Sequence, residues 1–287
     1  MPTNWVDVPE HLRCDIDIVA DPALGGDPQA CMLAWLEQEQ RPLAYTPHNG
    51  GHWVIFTHNL AHTVLCDAKN FGSFPIGVPA NHEQRPRLIP LESGPDEHRR
   101  YRRLLLPVFQ PDVVKKMESG IRAQTRAVLD AAAGKEKIDS LKDIAKPIPT
   151  QVFAEQMGLE AAMLPQFYEW ETGFYRASTL EERLACGQQI ALHLQQVVEQ
   201  HQKRSGSEDI VDLLLAAEVE GERLTPEEVQ GVAYLLFLAG IDTVASMLSF
   251  TILQLARNPH QYAQLHQNPE KVTASVDEFL RLNAFIS

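Results

Sequence analysis

The stretch from Val229 to Asn258 constrains the fold more than any other part of the sequence. About 30 residues at 1.5 Å each predict a helix of about 45 Å, which is longer than a small domain is wide. The first half is apolar on every face, as in a helix buried in a large core or in a membrane. Gly240, Asp242 and Thr243 then interrupt the apolar run. A helix-weakening glycine beside buried polar groups lowers the stability of the fold, so its presence in the middle of a buried helix suggests a structural or functional role.

Three interpretations of this stretch are open. A membrane span needs about 20 predominantly apolar residues, whereas the run from Gly231 to Ile241 is shorter and is followed by polar residues. A central core helix with a satisfied polar pair fits the composition. In the third interpretation Gly240 loosens the helix beside a bound ligand, and Asp242 and Thr243 handle protons there. Periodicity alone does not separate the last two.

Composition narrows the class of protein. The chain has 287 residues, 44% of them hydrophobic, and a net charge of −13. This acidity argues against general nucleic-acid binding and against adhesion to an anionic membrane surface. The N-terminal segment lacks the basic flank and apolar core of a signal peptide. The four cysteines are widely scattered and show no zinc-binding spacing. We therefore expect a cytoplasmic protein with reduced thiols. The cysteines are Cys14, Cys31, Cys66 and Cys186.

The rest of the pattern predicts one mainly helical domain over residues 1–287 with a small β region. Asn49-Gly50 between two β-rich runs predicts a hairpin, and Thr225-Pro226 predicts the start of the long helix. Residues 71–95 form a proline-rich loop, for which a lid over an apolar pocket and a plain surface loop are both open. Apolar periodicity predicts further helices over residues 29–40, 60–68, 96–109, 113–133, 141–157 (broken by its prolines), 164–175, 180–203, 210–218 and 269–283.

Two charged groups stand out. A basic cluster of four arginines lies within this acidic chain: Arg99, Arg100, Arg102 and Arg103. Such a cluster is usually an exposed helix face that is paired with acidic residues elsewhere. His98 and Arg102, however, stand at i,i+4 and share a helix face, where they could together bind a carboxylate. Glu278 and Arg281 are an i,i+3 ion pair, a spacing that is also common on ordinary exposed helices.

Four sequence elements taken together point to one family. They are HRRYR (98–102), EDIVDLLL (208–215), AGIDT (239–243) and EFLR (278–281). With these elements, the chain resembles the cytochrome P450 haem-thiolate monooxygenases over essentially its whole length. Its closer likeness to the soluble bacterial camphor-hydroxylase branch lies in NGGHW (49–53), GIDTV (240–244) and LSF (248–250). The resemblance implies the mainly α P450 fold, incomplete at its C-terminus.

The resemblance implies roles for the middle of the long helix. Ala239 to Thr243 match the distal oxygen-binding groove of the family. Gly240 would open space over the iron, and Thr243 would supply a hydrogen bond to the oxygen being activated. Asp242 would relay protons from solvent, which requires a donor within hydrogen-bond reach.

Further roles follow from the same resemblance. His98 and Arg102 match positions that hold a haem propionate, and the neighbouring arginines would present a docking face to an acidic ferredoxin. Leu235 and Leu238, with Ala239, would line the substrate pocket. The structural ExxR pair of the family is matched by Glu278 and Arg281.

The implied activity is the insertion of one oxygen atom from O2 into an unactivated C–H bond of a small apolar, terpenoid-like substrate. It would use haem b and electrons from NAD(P)H, passed through a reductase and a [2Fe-2S] ferredoxin. Camphor itself is doubtful, because the lid-loop tyrosine of camphor-type enzymes has no counterpart between residues 46 and 100.

The largest departure from the family concerns the iron ligand. The cysteine loop that follows the ExxR helix is not in this sequence, and no other cysteine has a supporting context. We therefore expect a truncated chain that lacks the activity. Two alternatives are open. One is a non-catalytic relative that binds a ferredoxin or an apolar ligand without turnover. The other is an unrelated all-α binding protein, which predicts no pocket converging on Gly240, Thr243, His98 and Arg102.

Overall fold

A computed structural model describes residues 5–25, 27–78, 85–177, 179–204, 209–219 and 221–282. The contacts between residues divide the chain into two compact units, residues 1–82 and 83–286. The single domain expected over residues 1–287 stays a prediction, and the two units are described separately.

The first unit contains two helices and a β-hairpin: α1 (Pro28–Glu39), β1 (Leu43–Thr46), β2 (His52–Ile55) and α2 (His58–Cys66). The antiparallel strands pair Leu43 with Ile55 and Thr46 with His52. Asn49 and Gly50 have φ angles of 55° and 90° in a short 3-10 turn between the strands. This conformation suits asparagine and glycine, so the predicted hairpin is confirmed. The small core of the unit contains Cys14, Ile16 and Ala44.

The second unit is helical apart from one very short strand pair. Its helices are α3 (Pro95–Leu105), α4 (Pro111–Ala133), α5 (Pro147–Gln156), α6 (Leu164–Arg176), α7 (Leu180–Lys203), α8 (Ile210–Ala216), α9 (Pro226–Arg257), α10 (Pro259–Gln267) and α11 (Val272–Leu282). The strands β3 (Glu218–Val219) and β4 (Glu222–Arg223) pair between α8 and α9. One apolar core, in which Phe167, Leu194 and Phe237 are buried, joins α3 and α5 to α9.

Prolines determine where two of the predicted helices end or begin. The predicted helix over residues 96–109 ends at Leu105 and continues as a 3-10 turn that contains Pro107. The segment predicted over residues 141–157 is broken at its prolines, as expected: a π-helical turn covers Ser140–Ala145, and Pro147 and Pro149 both lie in the first turn of a separate helix, α5. In the first turn a backbone N–H has no helical partner, so its loss to proline is tolerated.

Helix α9 is the long helix predicted from the apolar stretch. Thr225 and Glu228 form a capping box at its start, with Thr225 Oγ1 accepting from Glu228 N at 3.2 Å. Gly240, Asp242 and Thr243 interrupt the apolar pattern but not the helix, which runs continuously through them from Pro226 to Arg257. The Thr243 hydroxyl makes its hydrogen bond within the helix.

The two halves of α9 lie in different surroundings. Nine of its residues are buried, from Val229 to Ala245, and most of them belong to the core of the second unit. Toward the end of the helix, Val244, Phe250 and Leu253 are 48%, 40% and 43% exposed. By length and composition alone α9 could also cross a membrane. Burial of its first half in the core accounts for that half's apolar composition.

Candidate functional site

The predicted oxygen-binding groove corresponds to one turn of α9. Ala239 is exposed although its neighbours Leu238 and Ile241 are buried, and Thr243 is half-buried one turn further along. The Thr243 hydroxyl donates to the Ala239 carbonyl oxygen at 2.7 Å. Ala239 and Thr243 therefore share one face of the helix, at i and i+4. We call the segment from Ala239 to Thr243 the distal turn.

Gly240 makes room for an aromatic ring. A Cβ atom at this position would lie 2.6 Å from Cδ2 of Phe153 in α5, closer than real Cβ contacts. Phe153 packs edge-on against Phe237, with ring centroids 5.9 Å apart. The missing side chain of Gly240 thus allows α5 to approach α9. This packing role was not predicted from the sequence, and the role of Gly240 over an iron stays a prediction.

Asp242 points toward helix α6. Its Oδ1 accepts from the Arg176 guanidinium at 3.3 Å, and its side chain is 20% exposed. The adjacent Tyr175 hydroxyl donates to the Leu238 carbonyl oxygen at 2.9 Å. The pKa of Tyr175 is raised, first by burial and then by the charges of Asp242 and Glu171. Asp242 therefore lies at the edge of a polar cluster and not alone in the core.

A second carboxyl group, Glu171 of α6, lies behind Asp242. Its Oε2 accepts from Lys146 Nζ at 2.9 Å, and Lys146 also donates to the Thr172 hydroxyl at 2.8 Å. Burial raises the pKa of Glu171, opposed by the hydrogen bond from Lys146 and reinforced by contact with Asp242. This group was not predicted from the sequence. The available signal was its position, because Glu171 follows Phe167 by four residues on the apolar face of α6.

The predicted propionate-binding residues lie on α3. His98 and Arg102 are both exposed, and within the described residues neither side chain makes a hydrogen bond or ion pair. The opposite face of α3 is anchored to the first turn of α9, where Tyr101 donates to Glu228 at 2.6 Å. Glu228 precedes Asp242 by 14 residues, about 21 Å along the helix. The described contacts therefore join α3 to the start of α9 and not to the distal turn.

The arginine cluster is partly neutralised. Arg100 contacts Glu228 at 3.3 Å, and Arg99 pairs with Asp96 one turn earlier. Pairing with acids, one of the two interpretations of the cluster, thus holds for these two arginines. Arg102 keeps an exposed guanidinium that a partner could reach.

The predicted pocket residues are buried or partly buried, and the two residues of the predicted ExxR pair contact each other. Leu238 is 6% exposed within the core and Leu235 is partly buried against it. Glu278 and Arg281 make two hydrogen bonds, both of 2.7 Å, on an exposed face of α11. The guanidinium lowers the pKa of Glu278. Their roles in substrate binding and in folding stay predictions.

Burial disfavours a thiolate at three of the four cysteines. It raises the thiol pKa of Cys14, Cys31 and Cys186, whereas a metal-binding thiolate needs surroundings that lower it. Cys186 lies beside Gly173 between α7 and α6, and Cys66 lies 3.7 Å from His62 at the end of α2.

The described residues can be compared with the chemical requirements of a haem site. The exposed imidazole and guanidinium of His98 and Arg102 are suitable donors for propionate carboxylates. Exposed Ala239 beside half-buried Thr243 leaves a face of α9 that carries no bulky side chain at these two positions. These two groups fit a haem, whereas the described cysteines do not fit its axial ligand.

Comparison with known proteins identifies the family to which this fold belongs. The family model described as "Cytochrome P450" matches residues 151–280, which include α9 and Glu278 of the predicted ExxR pair. The probable cytochrome P450 127A1 of Sinorhizobium fredii is 33% identical over 267 residues, covering 91% of this chain and 63% of that protein. Linalool 8-monooxygenase of Pseudomonas putida is 26% identical, covering 86% of this chain and 58% of that protein.

Solved structures show the same architecture. The crystal structure of CYP101J2 aligns with a TM-score of 0.82 and 28% identity, covering 97% of this chain and 70% of that one. The mainly helical fold, with one long helix through its core, is that of a haem-thiolate protein, and this chain belongs to the cytochrome P450 family. It spans less than two thirds of the length of the first curated relatives.

Proposed function

We propose that this chain provides the distal half of a cytoplasmic cytochrome P450 monooxygenase. The reaction inserts one atom of O2 into a C–H bond of a small apolar, terpenoid-like substrate. Electrons come from NAD(P)H through a reductase and a [2Fe-2S] ferredoxin. The proposal rests chiefly on the distal turn, where a threonine hydroxyl and a carboxylate paired with a partly exposed arginine lie side by side at the end of the apolar first half of α9.

Haem b, when bound, would supply oxygen binding and activation. His98 and Arg102 would bind its propionates by charge-assisted hydrogen bonds. The small side chains of Ala239 and Gly240 would allow the distal turn to face the haem plane. The axial thiolate would have to come from residues other than the four cysteines of this chain.

Protons reach the distal turn through Asp242. Its carboxyl group is partly exposed beside Arg176, so it can take a proton from solvent and hold it on a carboxyl oxygen. The Thr243 hydroxyl donates to Ala239 and keeps its lone pairs available to accept. A proton held on Asp242 can therefore pass to the neighbouring hydroxyl without crossing the apolar core.

The proposed substrate class rests on the apolar side chains of the predicted pocket, and the proposed redox partner rests on the exposed guanidinium of Arg102. Leu235 and Leu238 offer only apolar surface, which favours an apolar substrate. Relatives are named for substrates as different as linalool and erythromycin, so terpenoid size is our choice within that range. The exposed guanidinium of Arg102 would contribute positive charge that steers an acidic ferredoxin to α3.

Turnover by haem-loaded enzyme, assayed with ferredoxin, reductase and a terpenoid panel, tests the distal turn. Thr243→Val should lower product formed per NAD(P)H consumed, and Asp242→Asn should slow turnover by about 10²–10⁴-fold. Thr251→Val is the matched control, because Thr251 makes the same bond to the carbonyl four residues earlier, at 2.9 Å. Equal effects of the two threonine substitutions would contradict the proposal.

Haem affinity tests the α3 edge separately. The double substitution His98→Gln and Arg102→Gln should weaken haem binding at least tenfold, because two donors to propionate are lost. Arg99→Gln is the control, since Arg99 is paired with Asp96. Loss of haem affinity in the control alone would place the propionates elsewhere.

Binding without turnover is the second candidate function. It is favoured by the raised thiol pKa of Cys14, Cys31 and Cys186, which disfavours a metal-binding thiolate at these cysteines. The discriminating measurement is the spectrum of the haem-loaded, reduced chain with CO. A thiolate-type Soret band would contradict this alternative, whereas haem binding without such a band would support it.

A further inference from the structure

Two carboxyl groups face each other behind the distal turn. Glu171 of α6 is 0% exposed, and it lies within hydrogen-bonding reach of Asp242 on α9. Two ionised carboxylates this close repel strongly, and a single shared proton removes the repulsion. The arrangement therefore favours one proton on the pair.

Each of the two carboxyl groups has its own cation. Lys146 Nζ lies 2.9 Å from Glu171 Oε2, and Arg176 lies 3.3 Å from Asp242 Oδ1. Lys146 is almost buried, with 11% of its side chain exposed, whereas the Arg176 side chain is 46% exposed. Either carboxyl can therefore carry the negative charge while the other carries the proton. The other titratable groups facing the pair are the hydroxyls of Tyr168 and Tyr175.

One oxygen atom of Glu171 distinguishes its two charge states. Oε2 accepts from Lys146 and from the Thr172 hydroxyl, at 2.9 and 3.2 Å. Oε1 is buried and has no hydrogen-bond partner among the described residues. An ionised Glu171 leaves this acceptor unsatisfied, which is costly in a core. A protonated Glu171 can instead donate, and the Asp242 carboxylate lies within hydrogen-bonding reach of the Glu171 carboxyl group.

We propose that Glu171 and Asp242 hold one proton between them, and that Glu171 acts as a positioning residue for the proton relay of the distal turn. In one state Glu171 is the acid and donates to the Asp242 carboxylate, which pairs with Arg176. In the other state the Glu171 O–H bond has broken and an O–H bond has formed on Asp242. The Glu171 carboxylate then pairs with Lys146. The significance for catalysis rests on the proposed function, whereas the shared proton does not.

Burial supports the first state. It raises the pKa of Glu171 more than Lys146 lowers it, so the acid form persists above the usual range of a glutamate. The proton is thus held at a buried position and delivered outward, toward the partly exposed Asp242. Such a store would keep one proton next to Thr243 without an open water channel.

Infrared spectroscopy of the purified chain tests the shared proton without haem or turnover. At neutral pH the wild-type chain should show the C=O stretch of a protonated carboxyl, which shifts in D2O. Glu171→Gln should abolish or shift this band, and Asp242→Asn should shift it. Glu169→Gln is the matched control, because Glu169 lies on the exposed face of the same helix and should leave the band unchanged.

The pH titration of the same band provides a second, independent measurement. Arg176→Gln removes the cation beside Asp242 from a solvent-exposed position, so the pair should bind its proton more tightly. We expect the midpoint to rise by about 0.5–1 pH unit. Circular dichroism of each variant checks the fold.

The outcomes separate the two proposals. Absence of the band at neutral pH, or a band unchanged in Glu171→Gln, overturns the shared proton. A band that behaves as expected, together with a complete haem-loaded enzyme that has its axial thiolate and never hydroxylates a substrate, keeps the carboxyl pair and overturns the proposed function. Coupled turnover without the band leaves the function standing and removes only the role of Glu171.

Discussion

Replacing Gly240 by alanine tests the close approach of α5 to α9. The new Cβ would lie 2.6 Å from Phe153 Cδ2, whereas ordinary contact begins near 3.4 Å, so the ring must move by about 0.8 Å. Overpacking of this kind destabilises a core by about 1–3 kcal/mol. Alanine also favours the helix over glycine by about 1 kcal/mol, which offsets part of that penalty. We expect a net loss of about 0–2 kcal/mol in the free energy of unfolding.

A matched glycine isolates the packing contribution. Gly120 lies in the middle of α4, where an added Cβ would meet no neighbouring atom within 4 Å, so Gly120→Ala should stabilise the chain by about 0.5–1 kcal/mol. Because helix propensity is common to both substitutions, their difference of about 1–3 kcal/mol measures overpacking against Phe153.

Urea unfolding followed by circular dichroism measures this difference from the transition midpoints. In a Phe153→Leu background, which removes the ring edge, Gly240→Ala should no longer be destabilising relative to Gly120→Ala. Equal stabilisation by both alanines in the wild-type background would refute the reasoning, because the ring would then have moved at no cost.

Three further predictions concern capping, burial and pH. Thr225→Ala should destabilise the chain by about 1 kcal/mol in urea unfolding, because it removes the capping box of α9, whereas Thr57→Ala, at an N-cap without a side-chain bond, should have little effect. Glu92→Gln should cost about 3–5 kcal/mol, since Arg85 lies 2.7 Å away with 4% of its side chain exposed and would keep a buried charge; a loss below about 1 kcal/mol would contradict this. Glu171 has a raised pKa, so its stabilisation is complete below the unfolded-state pKa of about 4.3 and is lost as pH rises through the folded-state pKa. Unfolding midpoints of Glu171→Gln should therefore fall less than those of wild type as the pH rises above that unfolded-state value, and parallel pH profiles would contradict a titrating Glu171.

Local chemistry was predictable where a few adjacent residues determine the backbone. Asn49 and Gly50 tolerate positive φ, and the hairpin turn lies at them. Thr225 was predicted to start the long helix, and its side-chain oxygen accepts from the backbone N–H three residues later, as that of Asp209 does at the start of α8. The apolar first half of α9 predicted burial, and it is buried. In the turn and the caps, sequence neighbours also supply the interaction partner.

Partners from distant segments were not predictable. Lys146 and Asp242 lie 25 and 71 residues from Glu171 along the chain, and only the packing of α5, α6 and α9 brings the three together. The packing of Gly240 against Phe153 was not predictable for the same reason. Glycine lowers helix propensity locally, but the ring of Phe153 fills the space it leaves and holds the helix in place.

Gly240 and Lys146 are connected through α5. Lys146 directly precedes Pro147, the first residue of α5, and lies seven residues, about two helical turns, before Phe153. The side chain of Thr150 donates to the Lys146 carbonyl oxygen at 2.8 Å and ties Lys146 to the first turn of that helix. We therefore expect a displacement of α5 at Phe153 to change the position of Lys146 relative to Glu171.

This connection predicts an effect of Gly240→Ala that stability alone would not show. If the extra methyl group displaces α5, the 2.9 Å bond from Lys146 to Glu171 lengthens, and the cation stabilises the Glu171 carboxylate less. The infrared band of the shared proton should then titrate at higher pH in Gly240→Ala and at the wild-type pH in Gly120→Ala. An unchanged midpoint in Gly240→Ala, together with the expected loss of stability, would mean that Phe153 absorbs the displacement alone. The distal turn would then be packed independently of its proton store.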